Sequence, residues 1–172
     1  MTPAPDPGEG QRLFFRGTAS GVWVVTTRDA AGAPVGFTAS SVASVALDPA
    51  TCTLSLQEGS SSWPAVAHRR RLVVHALGAD AAGLAARFAT SGIDRFAGVG
   101  HTRDDAGLPV LPEAAGVIGR LHVDVAEILA VGGSRLLICH TRRAWAADAA
   151  AAPLVHHGRA YWRLAPAGGS AT

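Results

Sequence analysis

The sequence predicts a mainly β protein, an antiparallel barrel with a few short helices at its edge. Residues 51–57 place Cys52, Leu54 and Leu56 on one face and polar side chains on the other, and residues 121–128 alternate in the same way. Such a period of two is typical of strands with one face in a core. The helical patterns are short and lie between the two groups of strands, which is the element order of an antiparallel barrel with helical lids.

Length and composition narrow the class of protein. A chain of 172 residues with 48% hydrophobic and 16% charged residues predicts one compact domain. The formal charge of +2 and the absence of a long basic stripe argue against a nucleic-acid partner. The chain has no lysine, which excludes Schiff-base chemistry and a Walker phosphate loop.

The sequence also predicts where in the cell the protein is located. No apolar run is long enough to cross a bilayer, and residues 1–10 lack the apolar region of a secretory signal. Cys52 and Cys139 each lie in a strand-like run without metal-site spacing, so we expect two buried, reduced thiols. We therefore expect a cytoplasmic protein with no membrane contact.

The chain order begins with a flexible arm over residues 1–10, rich in proline and glycine. A short helix follows over residues 11–19, where Leu13, Phe14 and Phe15 are expected to cover one side of the core. Val22–Thr27 then begins the sheet. The barrel domain is expected to span residues 11–164, and residues 165–172 form a flexible tail.

The middle of the chain predicts two helices around a central strand. Residues 60–69 offer a serine N-cap with Pro64 in the first turn. The continuously apolar residues 72–77 predict a central strand. Residues 80–90 predict a helix with Asp80 as cap and Leu84, Ala85 and Phe88 as apolar stripe. The glycine- and proline-rich residues 98–119 are expected to be mostly loop.

The segment 36–49, between two predicted strands, is the strongest candidate for a binding site. It carries four hydroxyl side chains among small residues and no charge before Asp48; they are Thr38, Ser40, Ser41 and Ser44. Hydroxyls and free N–H groups suit a phosphate or the polar edge of a ring. The alternative is that the hydroxyls bond locally and cap turns. Both interpretations stay open at this point.

Motifs for side-chain catalysis are missing from the sequence. It contains no G-x-S-x-G, no H-E-x-x-H and no G-x-G-x-x-G after a strand, and no carboxylate pair stands out. His156 and His157 are adjacent and would face opposite ways on a strand, so we expect no metal site. His75 is expected to be a hydrogen-bonded core residue. A cofactor that carries the reaction fits this pattern.

Several landmarks resemble the flavin reductase family with the FMN-binding split-barrel fold. Members of that family are the reductase components of two-component flavin-dependent monooxygenases. The resemblance covers roughly residues 12–164, and its landmarks are Phe15-Arg16, residues 21–27, 36–41 with 44–49, 85–89, 94–96, 109–111 and 153–161.

The resemblance implies an NAD(P)H:flavin oxidoreductase that passes hydride from NADH to FAD or FMN. Reduced flavin would go to a partner monooxygenase, and the flavin site would lie at a homodimer interface. No sequence feature reads as a clamp for a ribose 2′-phosphate, which favours NADH over NADPH. Catalytic side chains are not implied, and the implied flavin contacts are Thr38, Ala39, Ser40, Ser41, Ser44, Ser60, Ser62, Arg87, Phe88, Asp94, Arg95 and Phe96.

Two departures from the family pattern leave alternatives. Ser40 stands where the family commonly has Asn, and Gly133-Ser134 stands where it often has Asp-His on the nicotinamide side. Nicotinamide contacts are then assigned to His157, Tyr161 and Ser134. One alternative is a flavoprotein with an altered or lost nicotinamide site, acting as an oxidase or electron carrier. The other is a haem- or small-ligand-binding module with His75, His122 or His157 on iron.

Overall fold

The computed structural model describes residues 6–147 and 151–165. Half of the predicted arm, residues 1–5, and nearly all of the predicted tail lie outside the described residues. Helices are α1 (Pro7–Arg16), α2 (Trp63–Arg69) and α3 (Ala82–Ala89), with a 3-10 turn at Glu113–Ala115. The strands are β1 (Ser20–Gly21), β2 (Trp23–Arg28), β3 (Pro34–Ala39), β4 (Ala43–Leu47), β5 (Ala50–Gln57), β6 (Arg71–Leu77), β7 (Thr102–Arg103), β8 (Pro109–Val110), β9 (Val117–Val131), β10 (Ser134–Ala146), β11 (Leu154–His157) and β12 (Ala160–Arg163).

Seven strands form one antiparallel sheet in the order β3-β2-β6-β9-β10-β5-β4. The two end strands are consecutive in the chain, so the sheet curls until β3 and β5 approach each other. At this seam the Ser41 hydroxyl donates to the Ser55 carbonyl at 3.2 Å and accepts from its N–H at 3.0 Å. A curled, incompletely closed sheet with short helices confirms the predicted mainly β, split-barrel fold class.

The barrel interior is built from the alternating faces of these strands. Cys52, Leu54 and Leu56 of β5 point inward together with Leu137 and Cys139 of β10. Their burial confirms the period of two in the sequence. Cys52 lies opposite Cys139 in the β5–β10 ladder, and both thiols are buried and free, as expected.

A second core lies outside the barrel, beneath α3. Strand β2 is buried on both faces: Val25 points into the barrel, whereas Val24 joins this outer cluster. The buried stripe of α3, Ala85 and Phe88, packs on the cluster. Strand β6, hydrogen-bonded to β2 and β9, is the central strand that its continuous apolar run predicts.

Helix α1 differs from the prediction in extent and in packing. It begins at Pro7, so the expected arm is helical over its last four residues, and it ends at Arg16. The Asp6 carboxylate caps it by accepting from the N–H groups of Gly8 and Glu9. The prediction that its apolar residues cover the core is wrong for this chain: Leu13, Phe14 and Phe15 are 47%, 65% and 63% exposed.

The other helices also begin later than predicted. Helix α2 starts at Trp63 with Ser62 as its N-cap residue, and the three serines at 60–62 stay non-helical. The N-cap of α3 is Ala81, and Asp80 instead binds Arg163 at 2.5 Å. Residues 98–119 hold β7, β8, the 3-10 turn and the start of β9, so the loop prediction holds only in part. No helix of the described residues is long and apolar enough to cross a membrane.

Candidate functional site

A cleft of about 680 Å³ opens where the end of β3 faces the end of β5 and the end of α3. Its size lies within the range of small-molecule sites. Eight of the predicted site residues line it: Thr38, Ala39, Ser40, Ser41, Ser60, Phe88, Arg95 and Ser134. Other lining residues are Phe37, Ser55, Leu56, Gln57, Gly59, Ser61, Ala89, Ser91 and Gly92.

A close contact between β3 and α3 shapes one end of the cleft. A Cβ built on Gly36 would lie 2.6 Å from Cε1 of Phe88, so only glycine lets the ring pack against the strand. Phe96 lies behind Phe88, edge-to-face at 5.1 Å between ring centroids, and does not line the cleft. Glycine and two aromatic rings therefore fix an apolar wall.

Arg95 is the one charged side chain among the described residues that line the cleft. Its Nη1 donates to the Gly36 carbonyl at 2.8 Å and to the Ser62 hydroxyl at 3.2 Å. Its Nε donates to the Thr90 carbonyl at 2.8 Å. Ser62 is fully buried beneath the cleft. These bonds hold a positive charge at the cleft, and no carboxylate of residues 6–147 or 151–165 forms an ion pair with it.

Arg87 and Asp94 lie outside the cleft and hold the segment that carries Arg95. The Arg87 guanidinium donates to the carbonyls of Arg95 at 2.9 Å and Asp94 at 3.0 Å. The Asp94 carboxylate accepts from the N–H of Phe96 at 3.0 Å. Both side chains therefore shape the turn after α3, where the sequence suggested direct flavin contacts.

The four hydroxyls of segment 36–49 divide between the two interpretations. Thr38 donates to the Ala85 carbonyl at 2.6 Å, and Ser41 is engaged by Ser55 at the seam. Ser40 lines the cleft and makes no side-chain hydrogen bond within the described part of the chain. Ser44 lies on β4, away from the cleft. Local bonding thus accounts for two hydroxyls, and Ser40 is open to a ligand.

Of the three residues assigned to nicotinamide, the structure brings Ser134 to the cleft. His157 is exposed in the β11–β12 hairpin, and its Nε2 donates to the Gly17 carbonyl at 3.2 Å. Tyr161 packs against the outer core, and burial raises the pKa of its hydroxyl. These two residues lie beside β1 and the end of α1, and their nicotinamide role stays a prediction.

Sequence reasoning missed the contribution of β5 to the cleft. Ser55 and Gln57 occupy the polar face of its alternating pattern, opposite the buried Cys52, Leu54 and Leu56. The pattern identifies the face, but it does not say that the face meets β3. Ser91 and Gly92, directly after α3, carried no distinguishing signal.

The histidines considered as iron ligands are engaged in the protein. His75 is fully buried; its Nε2 accepts from the Leu111 N–H at 3.1 Å, and its Nδ1 donates to the Val24 carbonyl at 3.0 Å. Burial lowers the pKa of His75 to about 4, so the ring is neutral. His122 bonds the Asp104 carboxylate at 3.0 Å. The described residues contain no cluster of three metal-ligating side chains.

Comparison with known proteins gives consistent matches along the chain. The family described as flavin reductase like domain matches residues 15–165. An NADH:FMN oxidoreductase of Rhodococcus qingshengii is 38% identical over 161 residues, which cover 91% of this chain and 82% of that protein. An NADH:riboflavin 5′-phosphate oxidoreductase of Streptomyces pristinaespiralis is 36% identical over 173 residues, covering 96% and 97%.

A crystal structure with the same fold is also known. The crystal structure of a flavin reductase domain protein from Arthrobacter sp. FB24 superposes with a TM-score of 0.86 at 30% identity. The match covers 95% of this chain and 99% of that one.

Proposed function

This chain belongs to the flavin reductase like domain family, and we propose that it is an NADH-dependent flavin reductase. The observation that carries the proposal is the coincidence of the family match over residues 15–165 with an open cleft walled by the serine-rich end of β3. The relatives' names favour FMN over FAD as the flavin and NADH as the donor.

The cleft residues fit a flavin nucleotide. The Arg95 guanidinium suits a phosphate or the polar edge of the ring, and so do the hydroxyls of Ser40 and Ser61, which make no hydrogen bond to another described residue. The backbone of β3, against which the fully buried ring of Phe88 packs, offers an apolar surface to a flat ring system. A bound flavin would supply the hydride acceptor.

The chain's own residues bind and orient the reactants. Hydride transfer between a nicotinamide and a flavin needs no side-chain acid or base, so the absence of a carboxylate in the described cleft wall is compatible with it. Arg95 stabilises negative charge that develops nearby. We therefore expect the residues that bind the flavin and the nicotinamide, and not a catalytic side chain, to determine the rate of hydride transfer.

Ser134 lines the cleft, and it belongs to the Gly133-Ser134 pair that stands where the family often has Asp-His. A serine is shorter than the family's histidine, so a nicotinamide ring has more room and one fewer partner on this side. An altered nicotinamide site, with the protein acting as an oxidase or electron carrier, is therefore the second candidate. Flavin binding without reduction by NADH would identify it.

The proposal includes a homodimer and a partner monooxygenase that receives the reduced flavin. Large apolar side chains are exposed at the end strand β4 and beside the β9–β10 turn, namely Val45, Leu47, Leu129 and Val131. Surfaces of this kind mark protein interfaces, and a second copy of the chain is the occupant proposed here. Light scattering after gel filtration tests the dimer. The free, buried thiols are in keeping with the reducing cytoplasm.

The enzymatic proposal is tested by steady-state oxidation of NADH with FMN and FAD supplied separately. Turnover that requires both the protein and added flavin supports it, and the two KM values identify the preferred flavin. Binding of either flavin without oxidation of NADH or NADPH refutes it and favours the second candidate.

A further inference from the structure

A second cleft, of about 550 Å³, lies on the other side of the Ser40–Ser41 segment. The first cleft and this one share those two serines as a common wall. Arg12, Arg16 and Arg159 line it together with Phe15 and His156. We name it the arginine cleft. No carboxylate is among its described lining residues, so its surface is strongly positive.

Local contacts hold two of these arginines side by side. The Gly158 N–H donates to the carbonyl of Arg16 at 3.3 Å, which fastens the β11–β12 turn to the end of α1. His157 adds the bond to the Gly17 carbonyl. Arg159 is at the tip of that tight turn with φ 69°, a left-handed position where Gly and Asn are the common residues. The fold therefore presents Arg159 next to Arg16.

The charges of these two arginines are not neutralised within the described residues. Arg12 is paired with Glu9, its Nε donating to the carboxylate at 2.8 Å, whereas neither Arg16 nor Arg159 has a carboxylate within 4.0 Å there. Guanidinium pairs of this kind bind phosphate oxygens in a bidentate manner. The exposed ring of Phe15 beside them is a platform on which a base can stack.

We propose that the arginine cleft binds the adenosine diphosphate portion of a dinucleotide whose reactive ring occupies the first cleft. A diphosphate next to Arg16 and Arg159, with adenine on Phe15, matches the charge and the aromatic surface. The proposal rests on the proposed function for its kinetic part. The ligand chemistry is shared by NADH and FAD, since both carry the same adenosine diphosphate.

Direct binding of ADP tests the site without any turnover. ADP is titrated calorimetrically into FMN-loaded wild-type protein and into the variants Arg16→Gln and Arg159→Gln. Each variant is expected to weaken ADP binding about tenfold, because one charge-assisted contact to phosphate is lost. Arg103→Gln, at an exposed arginine of β7 that lines neither cleft, removes the same charge and is expected to leave ADP binding at the wild-type level.

Steady-state kinetics then identify which dinucleotide the cleft holds. If it holds the donor, KM for NADH rises about tenfold in Arg159→Gln, while KM for reduced nicotinamide mononucleotide, which lacks the adenylate, is unchanged. If it holds the flavin, KM for FAD rises and KM for FMN does not. Values of kcat change little in either case, since the contact is remote from the reacting ring.

The two proposals fail in different ways. ADP binding that both glutamine variants weaken, in a protein that does not oxidise NADH, supports the arginine cleft and removes the reductase function. Normal turnover, with no ADP binding and with unchanged KM values for NADH and FAD in folded variants, overturns the arginine cleft and leaves the reductase function intact.

Discussion

Replacing His75 by glutamine should remove a specific part of the pH dependence of stability. His75 is fully buried, with both ring nitrogens hydrogen-bonded as a neutral imidazole. Desolvation lowers its pKa to about 4 from the ordinary 6.5. The unfolded chain binds a proton at this position below pH 6.5, whereas the folded chain does so only near pH 4.

The sign and size of the His75 contribution to the free energy of unfolding follow from proton linkage. Because the folded pKa is depressed, the unfolded state binds more protons between the two values, so stability rises with pH in that window. The contribution is fully present above pH 6.5 and is lost as the pH falls towards 4. The difference between the ordinary pKa of 6.5 and a folded-state pKa of about 4 corresponds to about 3 kcal/mol of lost stability.

Urea denaturation at a series of pH values measures this contribution. The free energy of unfolding of the wild type should fall between pH 6.5 and 4 by about 3 kcal/mol more than that of His75→Gln. The variant should also be less stable at neutral pH by about 1–3 kcal/mol, since glutamine keeps at most one of the two hydrogen bonds. His68→Gln, at an exposed position of α2, is the matched control and should retain the wild-type profile. Parallel profiles for the wild type and His75→Gln would refute the reasoning.

Three further predictions concern the first cleft. Ser40→Ala should raise KM for the flavin while changing stability by less than about 0.5 kcal/mol, whereas Ser41→Ala should cost about 1–2 kcal/mol because it breaks the bonds to Ser55 at the seam. Equal effects of the two variants on denaturation midpoints would contradict this division. Arg95→Met should raise KM for the flavin about tenfold, with Arg95→Lys intermediate, in NADH oxidation assays; unchanged KM values would show that the guanidinium does not face the ligand. Gly36→Ala should destabilise the protein by about 1–3 kcal/mol and weaken flavin binding, because the added Cβ displaces Phe88. Gly100→Ala, whose added Cβ meets nothing within 4 Å, is the control and should have neither effect. Thermal melts and flavin titrations measure the two effects.

The strands were predictable because their signal is local. The alternation of β5 is visible in seven consecutive residues, and burying one face of it fixes its orientation in the barrel. The start of α1 also had a local signal that the proline-rich composition obscured. Asp6 with Glu9 three residues later is the pattern of a helix N-terminus, and Pro7 is acceptable in the first turn.

The cleft was only partly predictable because its contacts join distant parts of the chain. Arg87 and Arg95 are both cations close to α3, and the sequence does not distinguish the one at the cleft from the one that holds the backbone. The distinction arises where Arg95 reaches the carbonyl of Gly36 and the hydroxyl of Ser62. Those partners depend on how β3 curls towards α2, a property of the whole sheet and not of any segment.

Anaerobic mixing of the flavin-loaded protein with NADH tests the central claim most directly. The visible absorbance of the bound flavin should bleach at a rate that saturates with NADH and far exceeds the rate for free flavin under the same conditions. A flavin that stays bound and oxidised in the presence of NADH and of NADPH would contradict the account.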